Sequence, residues 1–598
     1  MERMVKVGKW IARHRILMLL IGVLLIIPSV IGIAKTKVNY DLLSYLPDHL
    51  ETVKGQDILV DEFGMGAFSM VVVEDMELKD VAALKEKLNE IHNQVVDIPM
   101  IIGGKEIRTD KLADIRPPHD HQHLLGHYHQ GDASHVQLAI DAAMKAKPAW
   151  EKMNWESRAA IFLKAAELIA GPYRQILNAV TMLGQSKNAF QAEIDCVCEL
   201  ADFYRFNVKN MYDLYHMQPN SSAGIWDRTV WRPLEGFVFA LTPFNFTSIA
   251  GNLPGAPALM GNVCVWKPSK TAVYSAYIVM KILQEAGLPD GVINLVYCSG
   301  PTASDVIFSN KDFAGIHFTG STGVFNDIWA TIVKNIGKYR SYPRIVGETG
   351  GKDYVFADPT AKALPVATAL IRGAFEYQGQ KCSAASRAYI PSNIWPEVKA
   401  LMQADLNKIK TGGVEDFSNF VNAVIDEASF DKLAKAIDDA QASPDAEVIL
   451  GGKYDKSKGY FIYPTVIQAK KPDYITMREE LFGPVLTIYV YEPDQIEETL
   501  DLLDAGSAYA LTGAIFSNDR ANIEKLTERL THTAGNFYIN DKPTGAVVDQ
   551  QPFGGGRASG TNDKAGSVFN LLRWVSPQCI KETFIPATNY MYPNFLES

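Results

Sequence analysis

The sequence predicts an α/β fold: parallel sheet covered by helices on both faces, preceded by one helix long enough to cross a membrane. Three observations carry this. From Gly236 onward, short apolar runs alternate with helical patterns. A second alternating stretch runs from about Glu348 to Asn540. Near the start, Ile16 to Ala34 contains no charged residue.

That first apolar stretch has the length a bilayer needs, about 20 residues. Lys6, Lys9, Arg13 and Arg15 precede it, which places the N-terminus in the cytoplasm. A secretory signal is the rival reading, but Lys35 and Lys37 stand where an A-x-A-like cleavage site belongs. The following VNYDLLSYLPDHLETVKGQDILVDEFG resembles the start of an RND/MMPL-type membrane transporter, over residues 1–94. No second apolar stretch of that length follows, so this piece has no means of transport. The reading is a fusion of two unrelated segments, joined near Gln94–Val95.

The elements then follow in order. SHVQLAIDAAMKA, starting at Ser134, is a helix with a good N-cap. Another spans Glu156–Ala170. GFVFAL predicts a strand and Ile249–Met260 a helix. NVCVW predicts the next strand, followed by a helix over Ala272–Ala286. VINLVY leads to a short helix after Pro301, and GIHFT to one after Ser321. Strand–helix alternation at this spacing is the pattern of parallel sheets.

Composition narrows the function. Of 598 residues, 47% are hydrophobic and 21% charged, which is globular. The net charge is −10 with no long Lys/Arg run, so a nucleic-acid footprint is absent. The six cysteines form no CxxC pair, which is neither a disulfide scaffold nor a zinc pattern. That fits a reducing compartment, the cytoplasm for the enzyme part, or a membrane if the N-terminal helix is used.

Six short motifs carry chemistry. Gly320-Ser321-Thr322-Gly323 follows a strand and opens a helix, where backbone N–H groups suit a pyrophosphate; plain capping is the simpler alternative. Asn245, in TPFNF, could donate to an oxyanion. Lys267 ends a strand, at the edge where open sheets bind ligands. Glu348 lies in ETGGK. Cys382 lies in GQKCS, among polar neighbours that suit a reactive thiol better than a core position. Glu480 and Phe482 belong to EELFGPV. His119, His121, His123, His127 and His129 have spacings that allow a metal, but the reading is no metal.

Together these motifs, in this order, resemble the aldehyde dehydrogenase superfamily over about residues 95–598. PPHDHQHLLGHYH, FNFTSIAGNLPGAPALMGNVCVWKPS and QQPFGGGRASGTNDKAGS resemble its glutamate-semialdehyde (pyrroline-5-carboxylate) dehydrogenase branch. The resemblance implies a Rossmann-like NAD-binding domain in 95–346, an α/β catalytic domain in 347–545, and a substrate-anchor loop and oligomerisation tail in 546–598. It implies Cys382 as nucleophile, Asn245 as oxyanion donor and Glu348 as base. Lys267 and Glu480 would hold ribose hydroxyls, Phe482 the nicotinamide side, and Gly320 and Ser321 the pyrophosphate. Ser383, Gly566 and Ser567 would anchor the α-carboxylate end of the substrate, with Phe246 and Trp574 flanking its chain. It implies NAD, with NADP as a usable second cofactor, a small-molecule substrate, and a homo-oligomer. Three alternatives remain: another semialdehyde dehydrogenase, such as one for succinic semialdehyde; a coenzyme-A-acylating member; or an inactive membrane-anchored fragment.

Overall fold

The computed structural model describes residues 78–596. Two seven-stranded sheets dominate it. The first holds β1 (Met100–Ile102), β2 (Lys105–Ile107), β3 (Phe237–Leu241), β4 (Val263–Lys267), β5 (Ile293–Leu295), β6 (Phe313–Thr319) and β7 (Arg344–Glu348). Their order is β7-β6-β3-β4-β5-β1-β2. The five from β7 to β5 run parallel, and β1 and β2 add an antiparallel edge. Strands covered on both faces read as unbroken apolar runs, as Phe237-Val238-Phe239-Ala240 does. The chain winds outward from β3 to β5, then returns to place β6 on the other side of β3. Strand order reverses there, and the carboxyl ends of β3 and β6 border a crevice of the kind that takes ligands.

The second sheet holds β8 (Asp353–Ala357), β9 (Ala385–Pro391), β10 (Ala446–Leu450), β11 (Thr465–Ala469), β12 (Val485–Tyr491), β13 (Thr512–Phe516) and β14 (Asn536–Ile539). Its order is β10-β11-β12-β9-β8-β13-β14, parallel except for β10. Thr349–Lys352 alone join β7 to β8. The carboxyl edge of the first sheet therefore meets the amino edge of the second, and every chemical motif lies along that seam.

The expected helices are present within one to three residues. The one predicted from Ser134 begins at Ala133, because Asp132 caps it and accepts from the Ser134 and His135 amides. Four others matter here: α1 (Leu78–His92), α2 (Arg174–Gln185), α3 (Glu199–His216) and α4 (Thr247–Leu259). In α4, Gly251 and Gly255 are required by close approach. A Cβ on either would sit 2.8 Å from Leu200 or Tyr204 of α3. A π-helical turn, Glu193–Cys198, precedes α3 and directs Asp195 inward, where it pairs with Lys187 and Lys381.

α1 revises the expected domain boundary. Leu84, Leu88 and Ile91, spaced for one helical face, are buried in the core of the first sheet's domain. The helix packs against α2, and its His92 ring stacks on His123. The helix begins at Leu78, ahead of the join expected at Gln94–Val95. The sequence hid this because the apolar residues of the helix are interrupted by charged ones and make a weak signal. Residues 16–34 lie outside the described residues. Among the described residues, no helix is long and apolar enough to cross a membrane.

Candidate active site

β7 delivers Glu348 at its carboxyl end. The Gly320 amide, after β6, donates to the Glu348 carbonyl at 3.1 Å. A loop at Ser559–Thr561 closes over the same point: Thr349 N–H donates to the Ser559 carbonyl, and the Thr561 hydroxyl accepts from Gly347 N–H. The backbone at Glu348 is thus gripped from both sides. Burial pushes the Glu348 carboxyl up to about 8; Lys564 opposes this, and Asp563 and Glu199 add to it. A carboxylate of that basicity can take a proton near neutral pH.

The sign of the Lys564 effect is testable. Its ammonium favours the charged form of Glu348. Lys564→Met therefore lifts the pKa of the base further, and the acid limb of the kcat–pH profile moves to higher pH. A pH–rate profile checks this; an unchanged limb means that Lys564 does not sense Glu348.

Cys382 lies in the turn before β9, its side chain half-buried at the seam. Burial raises the thiol well above its ordinary pKa, and the Glu348, Asp353 and Glu480 carboxylates raise it further. Such a sulfur rests as the thiol and needs a base to release its proton. Asn245, 4% exposed, follows β3. Its side-chain nitrogen donates to the Gln380 carbonyl at 3.0 Å. A side-chain amide has two N–H bonds. With one held there, the other is left to donate elsewhere.

The sequence-chosen cofactor residues gather at the same seam. Ser321 caps Thr322–Lys334, and its hydroxyl accepts from Val324 N–H. The first-turn amides of a helix lack partners within it and suit a phosphate anion. A side chain at Gly323 would meet no atom within 4 Å, so the approach is open. Lys267 ends β4, and burial lowers its pKa. Glu480 accepts from Gly351 N–H at 2.9 Å. Phe482 has φ +59° and meets Phe244 edge-on, ring centres 5.9 Å apart. A helix start, an ammonium, a carboxylate and an aromatic wall are the donor set that a dinucleotide takes.

The substrate end divides. Ser383 is buried, and its hydroxyl shares a 2.7 Å hydrogen bond with Thr544. Phe246 is half-buried with the Lys187 ammonium 4.2 Å from its ring centre. Trp574 is placed otherwise than expected, while Gly566 and Ser567 make contacts within the protein. The Gly566 carbonyl accepts from Asn210 of α3, and Ser567 caps a short helix and donates to the Lys564 carbonyl. Trp574 is fully buried against Gly315 and His317 in the core of the first sheet's domain, with no face free for a ligand. The loop beside Ser383 is Asn540–Gly545, which sequence reading missed. The reason is visible: Asn-Asp-Lys occurs twice, at 540–542 and 562–564, and both asparagines have φ +55°. The fold, not the tripeptide, shows which copy lies beside Ser383.

The histidines have protein partners. His119 sits between Ser186 and Glu415, His121 meets the Lys456 carbonyl, and His123 the His92 carbonyl. His127 pairs with Asp114 and His129 with Asp97. Among the described residues, no three His, Cys, Asp or Glu side chains converge for a metal.

Residues 106–576 match the model of the aldehyde dehydrogenase family. The delta-1-pyrroline-5-carboxylate dehydrogenase, mitochondrial, of Dictyostelium discoideum is 53% identical over 517 residues, covering 86% of this chain and 93% of that one. The protein of the same name from Homo sapiens is 45% identical over 511 residues, covering 85% and 91%. The solved NAD-bound delta-pyrroline-5-carboxylate dehydrogenase from Mycobacterium tuberculosis superposes with a TM-score of 0.83 at 49% identity, covering 86% of this chain and 95% of that one. With this match spanning both sheets and the seam between them, the chain belongs to the aldehyde dehydrogenase family.

Proposed function

We propose that this chain oxidises L-glutamate γ-semialdehyde, the open form of 1-pyrroline-5-carboxylate, to L-glutamate with NAD, the second step of proline degradation. The observation that carries the reading is the meeting of Cys382, Asn245 and Glu348 where the two sheets join. The names of its relatives supply the substrate. The Cys382 sulfur attacks the aldehyde carbon and gives up its proton to a base. The oxyanion of the thiohemiacetal is held by the Asn245 amide and the Cys382 N–H. NAD, when bound, accepts the hydride. Glu348 then takes a proton from water, which hydrolyses the thioester and frees the thiol. Ser383 and the Thr544 loop lie together where the carboxylate end of the substrate would be held. Lys267, Glu480, Gly320 and Ser321 would hold the dinucleotide, and Phe482 would line the nicotinamide side. We assign cofactor binding to residues 95–346 together with α1, and thiol chemistry to 347–545.

The test is NADH formation at 340 nm by the full chain, with glutamate semialdehyde against succinic semialdehyde. A preference for the latter removes the substrate assignment. Product analysis must give free glutamate without coenzyme A, since a coenzyme-A-acylating enzyme has no need of Glu348.

Lys270 bears on cofactor choice. It is exposed, and its ammonium lies 3.8 Å from Asp426. Asp426 offsets the charge that would otherwise draw a 2′-phosphate, so NAD is preferred and NADP is used second. Lys270→Glu lowers kcat/KM for NADP and spares NAD. Unchanged NADP use removes Lys270 from the ribose.

The two-stranded ribbon of Ile225–Pro233 and Val575–Thr583 exposes Trp226 and Val230, which supports a homo-oligomer; light scattering at the monomer mass would refute it. Residues 16–34 are proposed as a membrane span on sequence alone; with the N-terminus in the cytoplasm, one span carries the rest of the chain to the other side. Release of the full chain from washed membranes by salt would rule that out.

A further inference from the structure

We infer that Gln378 is the positioning residue of the nucleophile: its buried amide clamps a left-handed run, Tyr377–Gln378–Gly379, that aims Cys382 and the Asn245 amide at one point. This rests on the reading of Cys382 as nucleophile.

Residues with a side chain rarely adopt the left-handed region, and consecutive ones hardly ever do so unaided. Here Tyr377 has φ 49° and ψ 41°, Gln378 has φ 55° and ψ 31°, and Gly379 has φ 63°. Such a run persists only where its surroundings over-determine it. The surroundings do so through one side chain. Gln378 is fully buried. Its side-chain nitrogen donates to the Ser186 carbonyl and to the Ala423 carbonyl, each at 2.9 Å. Its side-chain oxygen accepts from the Asn422 amide at 3.0 Å. Both donors and the acceptor are used, on two segments far apart in sequence. The flanking residues are fixed to match. The Tyr377 hydroxyl donates to the Gln185 carbonyl at 3.1 Å. At Gly379 a Cβ would lie 2.3 Å from the Gly483 carbonyl, so only glycine permits the contact with the loop after Phe482.

The run ends at Gln380, and there the clamp reaches the chemistry. The Gln380 side chain accepts from Ile425 N–H at 2.9 Å, while its carbonyl is the acceptor that holds Asn245. Two positions later stands Cys382. A shift of the run therefore displaces the sulfur and both oxyanion donors together. Gln378 itself touches none of the reacting atoms, and nothing in its surroundings places it against the dinucleotide.

The experiment uses the full chain with Gln378→Glu and Gln378→Met, which keep the length of the side chain and remove the paired donors. Four quantities are read: the melting temperature, NAD affinity by fluorescence quenching, the rate of the first NADH formed, and the pH dependence of Cys382 alkylation by iodoacetamide, followed by mass spectrometry. A misplacement near 1 Å lowers such a rate by on the order of 10²-fold. We expect that fall in the first turnover, a moved alkylation midpoint, and NAD affinity within about twofold of the parent. A folded variant with an unchanged first turnover and alkylation overturns the inference. So does a parallel loss of NAD affinity and rate that follows the melting temperature, which is the mark of a packing role. If neither variant folds, Tyr377→Phe removes one hydrogen bond from the same run, and an unmoved first turnover there overturns it as well. Activity retained by Cys382→Ser would instead sink the nucleophile assignment, a separate outcome.

Discussion

Cys382→Ser lowers steady-state NADH production by on the order of 10³-fold or more, while NAD affinity stays near that of the parent. A hydroxyl in this turn has the same neighbours but is a far weaker nucleophile. The three carboxylates that already raise the thiol would hold an alkoxide still less well. The check is paired: turnover with glutamate semialdehyde, and NAD binding by fluorescence on the same sample. Turnover above a few per cent of the parent rate refutes the assignment. Loss of NAD binding along with activity points to a misfolded sample rather than to missing chemistry.

Glu348→Gln separates the two halves of the reaction. The amide preserves shape at the end of β7 but cannot take a proton from water. Loss of a general base costs about 10²–10⁴-fold in the step it serves. The expected trace is a burst near one NADH per site, followed by slow release. The linkage has a defined direction. In the parent, Glu348 is raised to about 8, so the basic form is scarce below that pH and turnover climbs through it. The variant loses this rise. A slow first turnover with no burst would instead place Glu348 in the first half-reaction.

Much of this was legible in the sequence, for physical reasons. Strands covered on both sides have no polar face, so GFVFAL and NVCVW stand out as unbroken apolar runs. The residues of the seam were legible because tight turns at strand ends keep each group in a short motif. What was not legible depends on contacts distant in sequence. Ser383 meets Thr544, 161 positions away, whereas the resemblance pointed to Gly566 and Ser567 for the same end of the substrate. The resemblance set Trp574 beside the substrate chain, but the returning chain folds it under the first sheet. Gln378 was not chosen at all. A glutamine beside a glycine gives no sign that two backbone segments will close on it, and a left-handed tyrosine has no signature in one-letter code.

α1 has a consequence for how this protein can be trimmed by peptidases. Its Leu84, Leu88 and Ile91 belong to the core, and each contributes roughly 1.5–3 kcal/mol by burial. Domains of ordinary stability hold about 5–15 kcal/mol in all. A cut at Val95 would thus discard a share of the folding free energy that few chains can lose. Any leader or anchor removed in maturation has to end before Leu78, and limited digestion should stop at a stable fragment that retains Leu78–His92. Recovery of a soluble, active fragment that begins at Val95 would show that the helix is dispensable.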